Sequence, residues 1–163
     1  MIKTIGVVGA GTMGSGIAQV FAQAGFTVQL VDVSPQILDR ARVTIDQSLA
    51  KFVEKGRMTA ADRDATRARV LTATSLEALS GADYIVEAIV EDADVKRELF
   101  ASLDASLRAD VILASNTSSI SITALGAATT RPDKVLGMHF MNPVPLMPLV
   151  EMVRGQTTSD ESM

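Results

Sequence analysis

Gly9, Gly11 and Gly14 stand between a short apolar run and a stretch of small and apolar residues. Their spacing, Gly-x-Gly-x-x-Gly, is that of a turn that takes a phosphate. Gly9 permits a tight passage from strand to helix, Gly11 lets the backbone approach a pyrophosphate, and Gly14 lets helix and sheet pack closely. Ala10, Thr12 and Met13 complete the loop as candidate cofactor contacts, because free N–H groups at a helix start face an anion. The run before the turn, Ile5-Gly6-Val7-Val8, is strand-like. The residues after it, Ile17, Ala18, Val20, Phe21 and Ala24, have helical spacing, and Asp32 closes the next apolar run. A carboxylate there accepts bonds from ribose hydroxyls and repels a 2′-phosphate, so the expected cofactor is NAD rather than NADP. The alternative is a glycine turn in an unrelated α/β protein.

Further along the chain, Glu91, Ser118 and His139 each follow or end an apolar run. In a doubly wound sheet ligands bind beyond the carboxyl ends of the strands, which is where these three are expected. His139 is the only histidine and the one side chain whose ordinary pKa lies near neutrality. It reads either as a general base or as a structural group at a strand end. Glu151 lies between Leu149 and Val153 on one face of a strand, and a carboxylate on an apolar face needs a partner. It is either the partner of His139, fixing the ring and steadying an imidazolium, or a glutamate on an edge strand reaching water. Ser118, Ser119 and Asn116 lie in one polar loop, and all three read equally as caps for the next helix.

The elements that position these groups alternate as in a parallel α/β sheet. Strands are expected near residues 3–8, 27–31, 70–73, 84–88, 111–114, 135–138 and 149–153. Helices are expected over 12–24, 34–55, from Thr59 onward, 94–107 and 121–128, with one helical turn at 75–79. Ser34-Pro35 is a helix start, and the long helix after it has a polar, charged face. Val95, Leu99, Leu103 and Leu107 form the expected apolar stripe of the 94–107 helix. Thr158-Ser159-Asp160-Glu161 is a further helix-start signature. The fold class is therefore α/β: a Rossmann-type, doubly wound, mostly parallel sheet with helices on both faces.

The 163 residues suffice for one full domain, and 47% hydrophobic content supports a sizeable core. Aromatic residues are only 4%, so that core is mainly aliphatic. A net charge of -4 does not suggest nucleic acid as a partner. There is no cysteine and one histidine, which argues against disulfides, a thiolate zinc site or any metal centre. No apolar stretch has transmembrane length, and residues 1–8 lack the pattern of a signal peptide. A cytoplasmic protein without membrane contact is expected.

Four strings, Gly6-Val7-Val8-Gly9-Ala10-Gly11-Thr12-Met13-Gly14, Val86-Glu87-Ala88-Ile89-Val90-Glu91, Ala114-Ser115-Asn116-Thr117-Ser118-Ser119 and His139-Phe140-Met141-Asn142-Pro143-Val144-Pro145, carry a resemblance, together with Leu149-Val150-Glu151-Met152-Val153. With them the chain resembles the NAD-binding domain of L-3-hydroxyacyl-CoA dehydrogenases, especially the bacterial 3-hydroxybutyryl-CoA type. The resemblance implies that His139 is the catalytic base, Glu151 its carboxylate partner, and Ser118 a contact to the substrate oxygen near the nicotinamide. It implies that Glu91, Lys96 and Asn142 belong to the cofactor site, and that Ser48 and Lys55 meet the coenzyme A part of the substrate. His139 would take the proton of a 3-hydroxyl as C3 gives hydride to the nicotinamide.

The same resemblance divides the chain. Residues 1–155 are the NAD-binding domain carrying His139 and Glu151, and 156–163 begin a helix leading to a helical C-terminal domain that these residues do not include. In the family that domain closes over the substrate, supplies most of a homodimer contact, and contributes an active-site asparagine that is not Asn142. Self-association of the shorter chain is accordingly expected. Two other readings stay open: a 3-hydroxyadipyl-CoA dehydrogenase of aromatic degradation, and a non-catalytic NAD-binding or structural relative. An acid-sugar dehydrogenase is a further one, against which Ser48 and Lys55 lean.

Overall fold

The computed structural model describes residues 1–163. Its strands are β1 (Thr4–Val8), β2 (Thr27–Val31), β3 (Val70–Ala73), β4 (Tyr84–Glu87), β5 (Ile112–Ser115), β6 (Val135–Phe140) and β7 (Val150–Arg154). Its helices are α1 (Thr12–Gln23), α2 (Pro35–Glu54), α3 (Ala60–Ala68), α4 (Ala93–Ser106) and α5 (Ile122–Gly126), with short 3₁₀ turns between. The sheet runs β3-β2-β1-β4-β5-β6-β7. All neighbours pair in parallel except β6 and β7, which are antiparallel. The order reverses direction between β1 and β4, and that switch point opens a crevice at the carboxyl edge.

Successive strand residues face opposite sides, so each buried strand feeds two cores. Val7, Leu30, Val86, Ala114 and Leu136 join Ile17, Ala18 and Ala22 of α1 and Leu38, Ala41, Ile45 and Leu49 of α2. Val8, Val31, Ile85, Leu113 and Val135 join Phe100 and Leu103 of α4 and Ile122 and Leu125 of α5. The expected doubly wound arrangement is therefore present. Arg131 ties the second layer together: its guanidinium donates to the Asp104 carboxylate and to the carbonyls of Asp104 and Leu107 at the end of α4. These are carbonyls that a helix leaves without intrahelical partners.

Four local expectations change. The buried face of α4 takes in Lys96 and Phe100 beside Leu99, Leu103 and Leu107, whereas Val95 is exposed. A step of four residues overshoots a helical turn by about 40°, so the expected stripe starts off the sheet at Val95 and comes onto it through Leu99, Leu103 and Leu107. His139 lies inside β6 rather than beyond it. Leu149 and Val153 are exposed, because β7 is an edge strand and its outer face is uncovered. From Thr158 the chain forms i-to-i+3 turns and no helix. Thr158 is buried and donates its hydroxyl to the Val135 carbonyl, so Ser159 takes the capping position and accepts from the Ser162 amide.

The glycine turn is built as its spacing predicts. Gly9 has φ +96, a region that side chains avoid. A Cβ on Gly14 would overlap the Gly9 carbonyl, whereas one on Gly11 would meet nothing within 4 Å. Gly14→Ala is therefore expected to destabilise the chain by about 1–3 kcal/mol, as overpacking does, despite alanine's better helix propensity. Gly11→Ala should cost less than about 1 kcal/mol, the difference between glycine and alanine at a helix cap. Thermal unfolding of both variants checks this. A midpoint for Gly14→Ala as high as that of Gly11→Ala contradicts it.

Candidate functional site

At the switch point the glycine turn leaves β1 and enters α1. The Gly9 amide donates to the Val31 carbonyl at 2.8 Å, which holds the turn against the end of β2. Asp32 follows that strand. One carboxylate oxygen accepts from the Ala10 amide at 2.9 Å and the other from the Ser34 amide at 3.0 Å. Asp32 therefore fixes the turn and the start of α2 while staying only half-buried. Gly11 caps α1 with no side-chain acceptor, so the first-turn amides of Thr12 and Met13 receive no capping bond. Uncapped amides and the positive end of the helix dipole favour an anion here. The open space at Gly11 lets that anion approach the backbone.

On the other side of the switch point lies a buried ionic network. Glu87 ends β4 with no exposure, and Lys96, on the first turns of α4, is 1% exposed. The Lys96 ammonium pairs with Glu87 and lies 3.2 Å from the Glu91 carboxylate. Glu87 also accepts from the Ser115 hydroxyl at 2.6 Å and the Ile89 amide at 2.7 Å. Glu91 accepts from the Thr117 hydroxyl and from the Ser118 amide at 3.1 Å. Desolvation works against the Glu91 charge, but the Thr117, Lys96 and Ser118 donors outweigh it and hold the carboxyl below its usual range. The network thereby sets the position of the Ser118 loop. Ser118 and Ser119 do not cap α5; Ser121 does, accepting from the Ala124 amide. Asn116 also leaves that role and accepts from the Phe140 amide at 2.9 Å, which ties the loop to β6.

His139 and Glu151 are cross-strand partners in the antiparallel β6–β7 pair. His139 Nδ1 is 2.9 Å from the Glu151 carboxylate. The second ring nitrogen has no protein partner among the hydrogen bonds of the structure. Glu151 is both an edge-strand glutamate reaching water and the partner of His139, so the two readings of the sequence are joined rather than opposed. One cleft of about 360 Å³ is lined by Met13, Glu91, Lys96, Ser118, His139 and Asn142. A second groove, of about 250 Å³, runs between α2 and residues 143–146. It brings Ser48 and Lys55 together with Lys51 and Arg57. The loop from Met141 to Leu146 lines the cleft with its first residues and the groove with its later ones.

Sequence reading missed Glu87, Ser115, Thr117, Lys51 and Arg57. Glu87 had a signal: an acid inside a run otherwise read as a buried strand requires a cation or a donor nearby. Lys51 follows Ser48 by one helical turn and so shares its face. Arg57 lies beyond the helix, and its approach to the groove was not encoded in any local pattern.

The arrangement fits a dinucleotide: uncapped amides and free space for the pyrophosphate, the Asp32 carboxylate at the end of β2, and a polar cleft across the switch point. The profile of the family described as 3-hydroxyacyl-CoA dehydrogenase, NAD binding domain, matches residues 4–163. A probable 3-hydroxybutyryl-CoA dehydrogenase of Deinococcus radiodurans is 51% identical over 96% of this chain and 56% of its own length. The 3-hydroxyadipyl-CoA dehydrogenase of Escherichia coli is 43% identical over 98% of this chain and 34% of its own. The crystal structure of (S)-3-hydroxybutyryl-CoA dehydrogenase from Ralstonia eutropha superposes with a TM-score of 0.97 at 45% identity, covering 99% of this chain and 57% of that one. The chain thus spans just over half the length of the 3-hydroxybutyryl-CoA relatives it matches. A turn, a sheet order and an identity of this extent together place it: the chain belongs to the family of NAD-binding domains of 3-hydroxyacyl-CoA dehydrogenases.

Proposed function

We propose that this chain is the NAD-binding and acid–base part of an enzyme that interconverts (S)-3-hydroxyacyl-CoA and 3-ketoacyl-CoA, in fatty-acid or related acyl-CoA metabolism. The substrate pair we favour is 3-hydroxybutyryl-CoA and acetoacetyl-CoA. The observation that carries this reading is the 2.9 Å contact between His139 Nδ1 and Glu151, in a cleft shared with Ser118 and Glu91. A carboxylate on Nδ1 fixes the tautomer and leaves Nε2 as the nitrogen that exchanges a proton.

In oxidation, His139 Nε2 takes the proton of the 3-hydroxyl, and Glu151 balances the imidazolium that forms. NAD, when bound, supplies the acceptor for the hydride from C3. In reduction the imidazolium returns the proton to the 3-keto oxygen. The Ser118 hydroxyl, exposed in the cleft, donates to that oxygen and orients it. The Glu151 side chain is 53% exposed, so water screens its charge and its main contribution is to hold the ring. Lys51, Lys55 and Arg57 give the neighbouring groove a cationic lining that suits the phosphates of coenzyme A, with Ser48 beside them. Glycine-turn amides take the pyrophosphate of NAD, Asp32 takes the ribose, and Glu91, Lys96 and Asn142 line the nicotinamide end.

In this proposal residues 1–155 form the NAD-binding domain, and 156–163 lead toward the part of the relatives outside the matched stretch. That remaining part closes the cleft, makes the homodimer contact and chooses the acyl chain. The relatives named for hydroxybutyryl and hydroxyadipyl substrates match this chain over nearly the same residues, which is why acyl selection is assigned elsewhere.

Two outcomes check the assignments. The chain is expected to bind NAD with clear discrimination against NADP. Asp32→Ala should weaken NAD by about tenfold or more, the loss of charged hydrogen bonds, and relax the preference. Calorimetric titration reads both, and equal affinity of the unmodified chain for NAD and NADP contradicts the role of Asp32. In a fusion of this chain to the remaining part of the Deinococcus radiodurans relative, His139→Gln should lower turnover of acetoacetyl-CoA by about a hundred- to ten-thousand-fold, with NAD affinity nearly unchanged. Near-normal turnover would return His139 to a structural role.

A further inference from the structure

The Glu87–Lys96–Glu91 set contains one carboxylate more than it needs. Lys96 alone would neutralise Glu91, and that pair would leave the cleft wall without net charge. A second carboxylate, Glu87, is instead buried with no exposure against the same ammonium. Removing a charge from water is costly, so a carboxylate held there in excess calls for an explanation. Its hydrogen bonds from Ser115 and Ile89 explain how it is tolerated, and a neutral glutamine would accept or make equivalent bonds. The buried Lys96 ammonium calls for an acid there, and with Glu91 beside it the set holds two carboxylates against one ammonium. The ionisable side chains lining the cleft are Glu91, Lys96 and His139. Behind the cleft that Glu91 and Lys96 share with His139, two carboxylates therefore stand against one ammonium, and the buried members are screened by salt far less than surface charges.

We infer that Glu87, acting through Lys96, is a positioning residue that gives the nicotinamide wall its excess negative charge and so favours the oxidised over the reduced cofactor. This rests on the cleft taking the nicotinamide, as proposed above. The oxidised nicotinamide ring is cationic and the dihydro ring is neutral, while the rest of the dinucleotide is the same in both. An excess carboxylate thus acts on the difference between the two forms. Glu87 touches neither ring; it sets how much of the Lys96 charge remains to offset Glu91.

The test is the ratio of dissociation constants for NAD and NADH, measured on the 163-residue chain by calorimetry and by NADH fluorescence. Glu87→Gln should raise the NAD-to-NADH ratio of dissociation constants by about three- to tenfold, as expected for one partly shielded charge. Glu91→Gln removes the same charge at a partly exposed position and should move the ratio in the same direction, even if Glu87→Gln folds poorly. A purely structural role for Glu87 would weaken both forms equally and leave the ratio unchanged. Binding of both forms with an unchanged ratio in the folded variants would overturn this inference alone. Failure of the unmodified chain to bind either form would overturn the dinucleotide reading and this inference with it.

Discussion

The buried contact between Glu87 and Lys96 ties α4 to the carboxyl ends of β4 and β5, two strands already paired along their length. Glu87 closes β4, Lys96 belongs to α4, and Ser115, bonded to the same carboxylate, closes β5. Removing one partner of such a pair typically costs about 3–5 kcal/mol when it leaves a buried charge alone. From this contact the order of the site propagates outward. Lys96 reaches Glu91, Glu91 takes the Ser118 amide and the Thr117 hydroxyl, and Asn116 passes the constraint to β6 beside His139. The loop that carries Ser118 and the strand that carries His139 are thus held in one frame by hydrogen bonds rather than by loop packing.

The distribution of charge around the carboxyl edge follows a second constraint. The chain as a whole has a net charge of -4, yet its ends of the site differ in sign. Uncapped amides face one stretch of the edge, a cationic groove lies along α2, and Glu91 and Lys96 share a cleft with His139. Asp32 anchors the glycine turn through the Ala10 amide and the start of α2 through the Ser34 amide. A ligand with phosphates at one end and a redox ring at the other meets matching fields along the edge.

Much of this was legible in the chain. The glycine turn, Asp32 and the alternation of strands and helices follow from local spacing, because backbone space and periodicity are encoded residue by residue. The pairing of His139 with Glu151 was one of two readings, and it needed the antiparallel register of β6 and β7 to be resolved. An apolar face does not account for the pairing, since Leu149 and Val153 are exposed on an edge strand. The burial of Lys96 lies one residue beside the expected stripe: Leu99, Leu103 and Leu107 do pack in the core, and Lys96 and Phe100 widen that face where Val95 turns outward. The Ser115, Thr117 and Asn116 bonds depend on β5 and β6 lying side by side, which no local pattern states. Thr158 read as a cap because its neighbours are acids, but a tertiary contact to Val135 claims its hydroxyl.

In the proposed binding mode one cofactor lies along this edge, from the glycine turn across the switch point to the cleft shared by Glu91 and His139. Titration of the isotopically labelled chain with NAD, followed amide by amide in nuclear magnetic resonance spectra, tests that most directly. The predicted result is a saturable shift at Ala10–Gly14, at Asp32 and Ser34, and at Glu91 and Ser118, with the amino ends of the strands unaffected. Shifts confined to the groove lined by Arg42 and Arg67, or spread without saturation, would contradict it.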